Sequence, residues 1–488
     1  MNKQNQTIGY LPDERPTLWK LFLYAIQQVI VMFPATIAVA LITGFQVSTT
    51  IFASGLATIC FILVTGRKIP LYYGSSFSYL SAVFSLLASE EFYKEISPTA
   101  QTALDSWSSG QVLPGEVLSY VQFGIILSGL VSIAAGLLVK FMGNHVVEKI
   151  LPASITGPIA MVIGLTLAGN ALSDAAPKAL AEGAEFGVEN GSWVWVVSLA
   201  TLLSTIIFSR YLKGFLGQLP LLLGAGVGCA VAGLLYAFGG KDLNMFRDIK
   251  DIVSDFPTTL FAVPAFTFPK VSWVAVATIM PIAFATIPES TAHMYQLDIY
   301  VNDLAKKKSS EKKYNLAQML DRNLIGDGIG DMITGFIGGP AGTNYGENIS
   351  TMAITRVFSV PVLIVAAIIA MVISFFTPLV NAIYAIPTAV IGGLEIYLFG
   401  AIAAQGIAIM IEKKVDMFSA KNIAVIASIM IIGIGGNYAF GGNIPVVFEN
   451  FQFDIPCIAG AAIFGILLNL LLSIGEKKNN NQDLSDQI

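Results

Sequence analysis

The chain has 488 residues, of which 55 % are apolar and only 12 % charged, and its mean hydropathy is +0.71. Soluble domains carry about 25 % charged residues, so a soluble chain of this composition could not cover its own surface, and the protein is expected to lie in lipid. The net charge of −5 comes without a basic cluster interleaved with aromatics, so nothing points to nucleic acid as a partner.

The polar residues 1–19 precede an apolar segment longer than a signal-peptide core, and no cleavable signal is expected. No Asp, Glu, Lys or Arg occurs from Leu21 to Gly66. A helix crossing the hydrocarbon needs about 20 residues, so this interval holds two spans hinged near Gly44–Ser48. Further apolar stretches cover 71–89, 117–140, 147–170, 192–209, 215–239, 271–294, 318–339, 345–356, 357–382, 386–411, 422–438 and 456–475. The reading is an all-α polytopic membrane protein with about fourteen membrane elements, since backbone polar groups must be satisfied within lipid.

Loop charge orients these elements. With a cytoplasmic N-terminus, Arg67, Lys68, Lys140, Lys149, Arg210, Lys213, Lys306–Lys308, Lys312, Lys313, Lys413, Lys414, Lys477 and Lys478 all fall inside. Glu90, Glu91, Glu95, Asp105, Glu116, Glu182, Glu185, Glu189, Asp248, Asp251 and Asp255 fall on the opposite side. This asymmetry predicts both termini in the cytoplasm. The polar tail Asn479–Ile488 is expected to be disordered.

Two elements read as broken. Ile69–Phe77 is Ile-Pro-Leu-Tyr-Tyr-Gly-Ser-Ser-Phe, and Pro340–Asn348 is Pro-Ala-Gly-Thr-Asn-Tyr-Gly-Glu-Asn. Each has a proline near its start, an extended-looking run, a Tyr-Gly pair (73–74, 345–346), polar residues and then a short apolar helix. A second echo joins Phe33-Pro-Ala-Thr36 to Ile287-Pro-Glu-Ser290. Interrupted segments at matching places in two halves point to a transporter site.

The starts of half-helices expose N–H groups and partial positive charge. The amides near Phe77 and Gly346 are therefore candidate donors to a ligand, unless Gly74 and Gly346 only permit tight packing. Glu289 lies in the span 271–294, where an ionisable group is costly and marks function by default. His293 follows on the same helix face, so the two form either a proton-handling pair or a structural one. Glu347 opens the second half-helix, where it caps the helix or accepts from a ligand. Asp327 and Asp331 share a face and are expected in buried contacts near the inner surface, the glycine pattern around them being wrong for a calcium loop. Glu395 stands alone in 386–411, as a gate or proton-path residue or as a satisfied contact between helices. Lys306–Lys313 reads as a solvated loop beside anionic lipid.

The three cysteines, Cys60, Cys229 and Cys457, lie far apart, and His145 and His293 are the only histidines. No metal site, disulfide framework or cofactor is expected. No phosphate loop, nucleophile elbow or metal-ligand spacing is present, so the reading is not an enzyme. Without an ATP site, transport draws on an ion gradient or runs downhill.

Glu347-Asn-Ile-Ser-Thr-Met-Ala-Ile-Thr355-Arg356 resembles the signature of the nucleobase/ascorbate transporters, or nucleobase–cation symporter family 2. With Lys68–Phe77, the chain looks most like bacterial uracil permeases, from Gln27 to about Ile474. The resemblance implies two inverted repeats of seven elements. It implies cytoplasmic tails at 1–16 and 476–488, a core domain at 17–143 and 241–382, and a gate domain at 144–240 and 383–475. It implies proton-coupled import of a nucleobase, most simply uracil, across a bacterial inner membrane, with a homodimer formed through the gate. Xanthine or another purine, and an anion on the same architecture, are the alternatives. Substrate contacts would come from Glu289, Glu347, Ala35 and the Phe77 and Gly346 amides, with His293 assisting Glu289. Phe77 and Tyr345 would supply aromatic surface. The sequence departs from the family at Ser350 (usually Gly), at Gln28 (usually His), in Pro288–His293 and at Glu395.

Overall fold

The structure is a computed structural model that describes residues 9–107, 110–144, 150–177, 191–252, 259–448 and 451–474. Expectations for residues 1–8, His145, Lys149, Glu182, Glu185, Glu189, Asp255, Lys477, Lys478 and the tail 479–488 lie outside the described residues.

The charge-free interval folds as α1 (Leu18–Thr43) and α2 (Val47–Val64), hinged at Gly44, whose φ of 76° is the left-handed conformation glycine tolerates. The first break follows as β1 (Tyr73–Ser75), a 3₁₀ turn over Phe77–Tyr79 and α3 (Leu80–Leu87). Two short helices, α4 (Glu90–Glu95) and α5 (Pro98–Asp105), are each capped by a serine, Ser89 and Ser97.

Long apolar helices come next. They are α6 (Gly115–Met142), α7 (Ala153–Thr166) running into α8 (Ala168–Ala175), α9 (Gly191–Tyr211) and α10 (Pro220–Gly239). α11 (Trp273–Ile279) and α12 (Ala283–Lys307) join through a 3₁₀ turn at Met280–Ile282. α13 (Leu320–Ile337) leads to the second break, β2 (Gly342–Asn344) and α14 (Gly346–Thr355). Then come α15 (Val360–Ile373), α16 (Thr377–Tyr384), α17 (Thr388–Glu412), α18 (Ala420–Phe440) and α19 (Cys457–Leu472).

Among the described residues nine helical spans are long and apolar enough to cross a membrane, α7 with α8 and α11 with α12 each counting as one. Three shorter apolar helices, α13 and α14 complete the expected set.

Four details differ from expectation. The stretch 357–382 divides because Pro378 cannot continue α15, and the backbone at Phe375–Thr377 instead bonds to Leu260 and Ala262. α12 runs on to Lys307 because its polar residues find partners. Asp298 accepts from the amides of Leu316 and Ala317 at 2.7 and 3.2 Å, and Asn302 pairs with the Tyr314 backbone. Between α18 and α19 lies an antiparallel hairpin, β3 (Asn443–Phe448) with β4 (Phe451–Pro456), where only a connection was expected.

The fourth difference concerns residues 9–16, which are not a free tail. Leu11 is buried, and the Tyr10 amide bonds to the Arg356 carbonyl at 2.8 Å. Lys308 and Lys312 of the basic loop engage Glu14 and Asp13 at 2.5 and 2.6 Å. Part of that loop is therefore a clamp on the N-terminal segment, since its cations found carboxylates within reach.

Candidate substrate site at the crossed half-helices

β1 and β2 pair antiparallel, with Tyr73 opposite Asn344, Gly74 opposite Thr343 and Ser75 opposite Gly342. Two more bonds extend the ribbon, Ser76 amide to Ala341 carbonyl (2.9 Å) and Tyr345 amide to Tyr72 carbonyl (3.0 Å). The breaks thus satisfy each other's backbone, which lets irregular chain persist among membrane helices. The half-helices leave from opposite ends of the ribbon, one starting at Phe77 and the other at Gly346.

The Tyr-Gly echo does not occupy matching places. Gly74 sits within β1, whereas Gly346 is the first residue of α14. Gly74 is needed for a close approach, since a Cβ there would lie 2.3 Å from the Tyr345 ring. Tyr345 is buried in this crossing, stacked on Tyr72 and bonded through its hydroxyl to Thr36 at 2.9 Å. It therefore positions the ribbon, with one face of its ring turned to Tyr72 and its hydroxyl held by Thr36.

The Pro echo does place equivalent groups. Pro34 and Pro288 both lie inside helices, α1 and α12. Two residues on, Thr36 reaches Tyr345 and Ser290 reaches Asn344 (3.1 Å), so each hydroxyl ties its helix to the crossing. Ala35, next to Thr36 in α1, is buried.

Glu289 follows Pro288 on α12. Ser78, in the turn that opens the first half-helix, lies within its reach, and Glu347 is close enough to act on it electrostatically. Glu347 occupies the first turn of α14, where the helix dipole favours a carboxylate, and its side chain is exposed. Phe77 is half-buried. The His293 ring turns to the junction of β2 and α14. A Cβ on Gly346 would lie 3.0 Å from its Nε2, and the Asn344 backbone is within its reach. Among the described residues it makes no hydrogen bond with Glu289, because one turn of α12 carries its ring to the strand end.

Asp327 and Asp331 of α13 stand at the crossing and not at the inner surface. Asp331 accepts from the Tyr73 hydroxyl (2.5 Å) and the Gly342 amide (2.8 Å). Asp327 accepts from Ser290 and from the Asn344 amide (2.9 Å). α13 is held in place against α6 by backbone contact at Gly129 and Gly328. Gln28 of α1 accepts from Asn348 at 2.7 Å and fixes the first turn of α14.

Sequence reasoning passed over Asn344, Ser290 and Asn348 as site-builders. Their polarity inside apolar runs was the available signal. Among the described residues, His293 Nδ1, Asn344 Oδ1 and Asn348 Oδ1 are buried without a hydrogen-bond partner. Unpaired buried polar atoms are costly, and here they cluster around the two acids. A separate cavity of about 540 Å³ lies further along α3, lined by Ser81, Ser85, Trp107, Asn170 and Asn437 among others.

Solved transporters share this architecture. The murine anion transporter Slc26a9, in its inward-facing state, superposes with a TM-score of 0.59 at 12 % identity, over 95 % of this chain and 69 % of that one. The transmembrane domain of the cyanobacterial bicarbonate transporter BicA gives 0.52 at 13 % identity, over 94 % and 97 %. Fold and composition define a multi-pass helical membrane protein.

The Permease family (Xan_ur_permease) matches residues 19–442, and the chain belongs to that family. It is 35 % identical to the uracil permease of Bacillus caldolyticus, over 94 % of each chain. It is 31 % identical to the uracil permease of Bacillus subtilis (strain 168), over 100 % of this chain and 99 % of that one. A putative pyrimidine permease, RutG, of Escherichia coli (strain K12) is 30 % identical over 95 % of this chain and 91 % of its own length.

Proposed function

We propose that the protein imports a nucleobase, with uracil as the leading substrate, by proton symport. The observation that carries this reading is the convergence of Glu289 and Glu347 on the starts of two half-helices. Uracil offers two carbonyl acceptors and two N–H donors. Carboxyl groups of Glu289 and Glu347 accept from the N–H edge, amides at Phe77 and Gly346 donate to the carbonyls, and Phe77 and Ala35 flank the ring. The relatives named for uracil and pyrimidine support the same substrate class.

Glu289 is the proton carrier in this reading, with His293 and Glu347 as the groups that set its environment. Alternating access proceeds by movement of a core (17–143, 241–382) against a gate (144–240, 383–475). The 540 Å³ cavity, between α3, α8 and the end of α18, is an approach from the face that carries Glu90 and Asp105. The protein sits in a bacterial inner membrane with both termini cytoplasmic. An anion substrate is disfavoured, because two carboxylates repel it.

Purified protein in liposomes should accumulate labelled uracil when an inward proton gradient is imposed, with competition by unlabelled uracil and thymine exceeding that by xanthine or sulfate. Accumulation that ignores the proton gradient, or that only sulfate suppresses, would overturn the proposal.

A further inference from the structure

Glu395 of α17 has no exposed surface. Among the described residues no N–H or O–H donates to either of its carboxyl oxygens. What it faces is another carboxyl group, that of Asp174 on α8, within hydrogen-bond reach. The approach is set by Gly392, one turn earlier on α17. A Cβ there would lie 2.2 Å from the Ala175 nitrogen, so only glycine lets the two backbones come this close.

Two ionised carboxylates in contact, one of them fully buried and, among the described residues, without a donor to its oxygens, repel strongly. One proton shared between them turns the repulsion into a charge-assisted hydrogen bond. The surroundings say which group carries it. The Arg247 guanidinium acts electrostatically on Asp174, while it donates to the Ile386 carbonyl (2.7 Å) and the Gly110 carbonyl (2.8 Å). Asp174 therefore keeps the charge that Arg247 balances, and Glu395 is the protonated donor.

Other groups around Glu395 leave this assignment intact. α7 carries no ionisable residue. On α9, Arg210 is exposed and lies over Tyr211. On α10, Cys229 packs in the small apolar cluster with Val390, and Tyr236 is exposed. On α17 itself, Tyr397 is bonded to Ser209. Tyr384 of α16 lies near Arg247.

We propose that Glu395 and Asp174 form a one-proton carboxyl pair that fastens α17 to α8, a proton-binding site distinct from the one at Glu289. Losing the proton places two like charges face to face between these helices, so the pair makes this part of the molecule pH-sensitive. The site does not depend on which substrate is carried.

The test is the apparent melting temperature of purified protein between about pH 6 and about pH 9, for wild type, Glu395→Gln and Asp174→Asn. In either variant an amide N–H replaces the shared proton permanently. Wild type should lose several degrees as pH rises, and the variants should lose less and should be the more stable at the alkaline end. Infrared difference spectra, wild type minus each variant, should show a protonated-carboxyl band that belongs to the pair, whatever Glu289 contributes to all three proteins. Equal pH slopes in wild type and variants, or an unchanged band, would overturn the proposal. If Glu395→Gln fails to fold, the pH slope of Asp174→Asn and its difference band against wild type decide it. Neither readout involves transport, so failure here is distinct from failure of the uracil assignment.

Discussion

Tyr73 donates its hydroxyl to Asp331 at 2.5 Å, and the Gly342 amide donates to the same carboxylate oxygen at 2.8 Å. One buried acid on α13 thus holds both strands of the ribbon, β1 through a side chain and β2 through its backbone. Tyr73→Phe leaves the ring packed but removes one of two donors to this carboxylate, at a cost of about 1–3 kcal/mol. The loss should appear as a lower melting temperature, and adding Asp331→Asn should cost less in this background than in wild type. Equal effects of Asp331→Asn in both backgrounds would show that the bond contributes nothing.

The sequence disclosed what is local. Runs without charge marked the spans, Gly44 marked the first hinge, and prolines with polar residues marked both breaks. Glu289 and Glu347 stood out because acids are rare in such runs. Contacts across long separations stayed hidden. Nothing near Asp331 points to Tyr73, and nothing near Gln28 points to Asn348. The Tyr-Gly echo misled for the same reason. Two identical dipeptides sit three residues apart in structural register, and only strand pairing reveals the offset. The β3–β4 hairpin escaped because its pairing partner, not its composition, makes it a strand.

Gly74→Ala tests the closeness of the crossing. The new Cβ would lie 2.3 Å from the Tyr345 ring, which is anchored by Thr36 and stacked on Tyr72. Overpacking of this kind costs about 1–3 kcal/mol, and transport should fall with stability. Tyr345→Leu should recover part of the loss in the double variant. A Gly74→Ala protein that melts and transports as wild type would show that the ring has room to move.

Asp13 offers a pH test at the N-terminal clamp. Burial raises its carboxyl, but bonds from Lys312 and Tyr314 outweigh this and leave it below its ordinary 3.8. A depressed carboxyl stabilises above its unfolded value, and that contribution fades as pH falls through the lower folded value. The protection factor of the Tyr10 amide, its exchange rate referred to the intrinsic rate at each pH, should therefore hold in wild type down to about pH 4 and fall below it. Asp13→Asn should show a lower protection factor at neutral pH, and that factor should change little on acidification. Because the ion pair is half-exposed, the difference should stay below about 1 kcal/mol. A variant that follows the wild-type acid profile would remove Asp13 from the clamp.

Glu289→Gln separates binding from coupling. The amide oxygen still accepts one hydrogen bond, so uracil exchange across the membrane should survive at reduced affinity. The amide cannot carry a proton, so accumulation driven by a proton gradient should vanish. Gradient-driven accumulation at the wild-type level would take the proton role from Glu289.

Glu347 and Ser350 lie in the same half-helix and make different demands on it. Glu347 opens α14 with an exposed carboxylate at the positive end of the helix, beside Glu289. Glu347→Ala removes an acceptor from the proposed substrate edge and leaves a ligand N–H unpaired, weakening uracil binding by about 1–3 kcal/mol, or roughly 5- to 150-fold. The helix itself should survive, because Asn348 remains bonded to Gln28 at 2.7 Å and the Tyr345 amide to Tyr72 at 3.0 Å. Ser350 is half-buried one turn further on, and Ser350→Gly takes away only a hydroxyl and some helix propensity, about 0.5–1 kcal/mol. Binding measured at equal membrane expression should therefore fall sharply in the first variant and little in the second. Equal losses would mean that Glu347 acts only by supporting α14, and the second acid would drop out of the site.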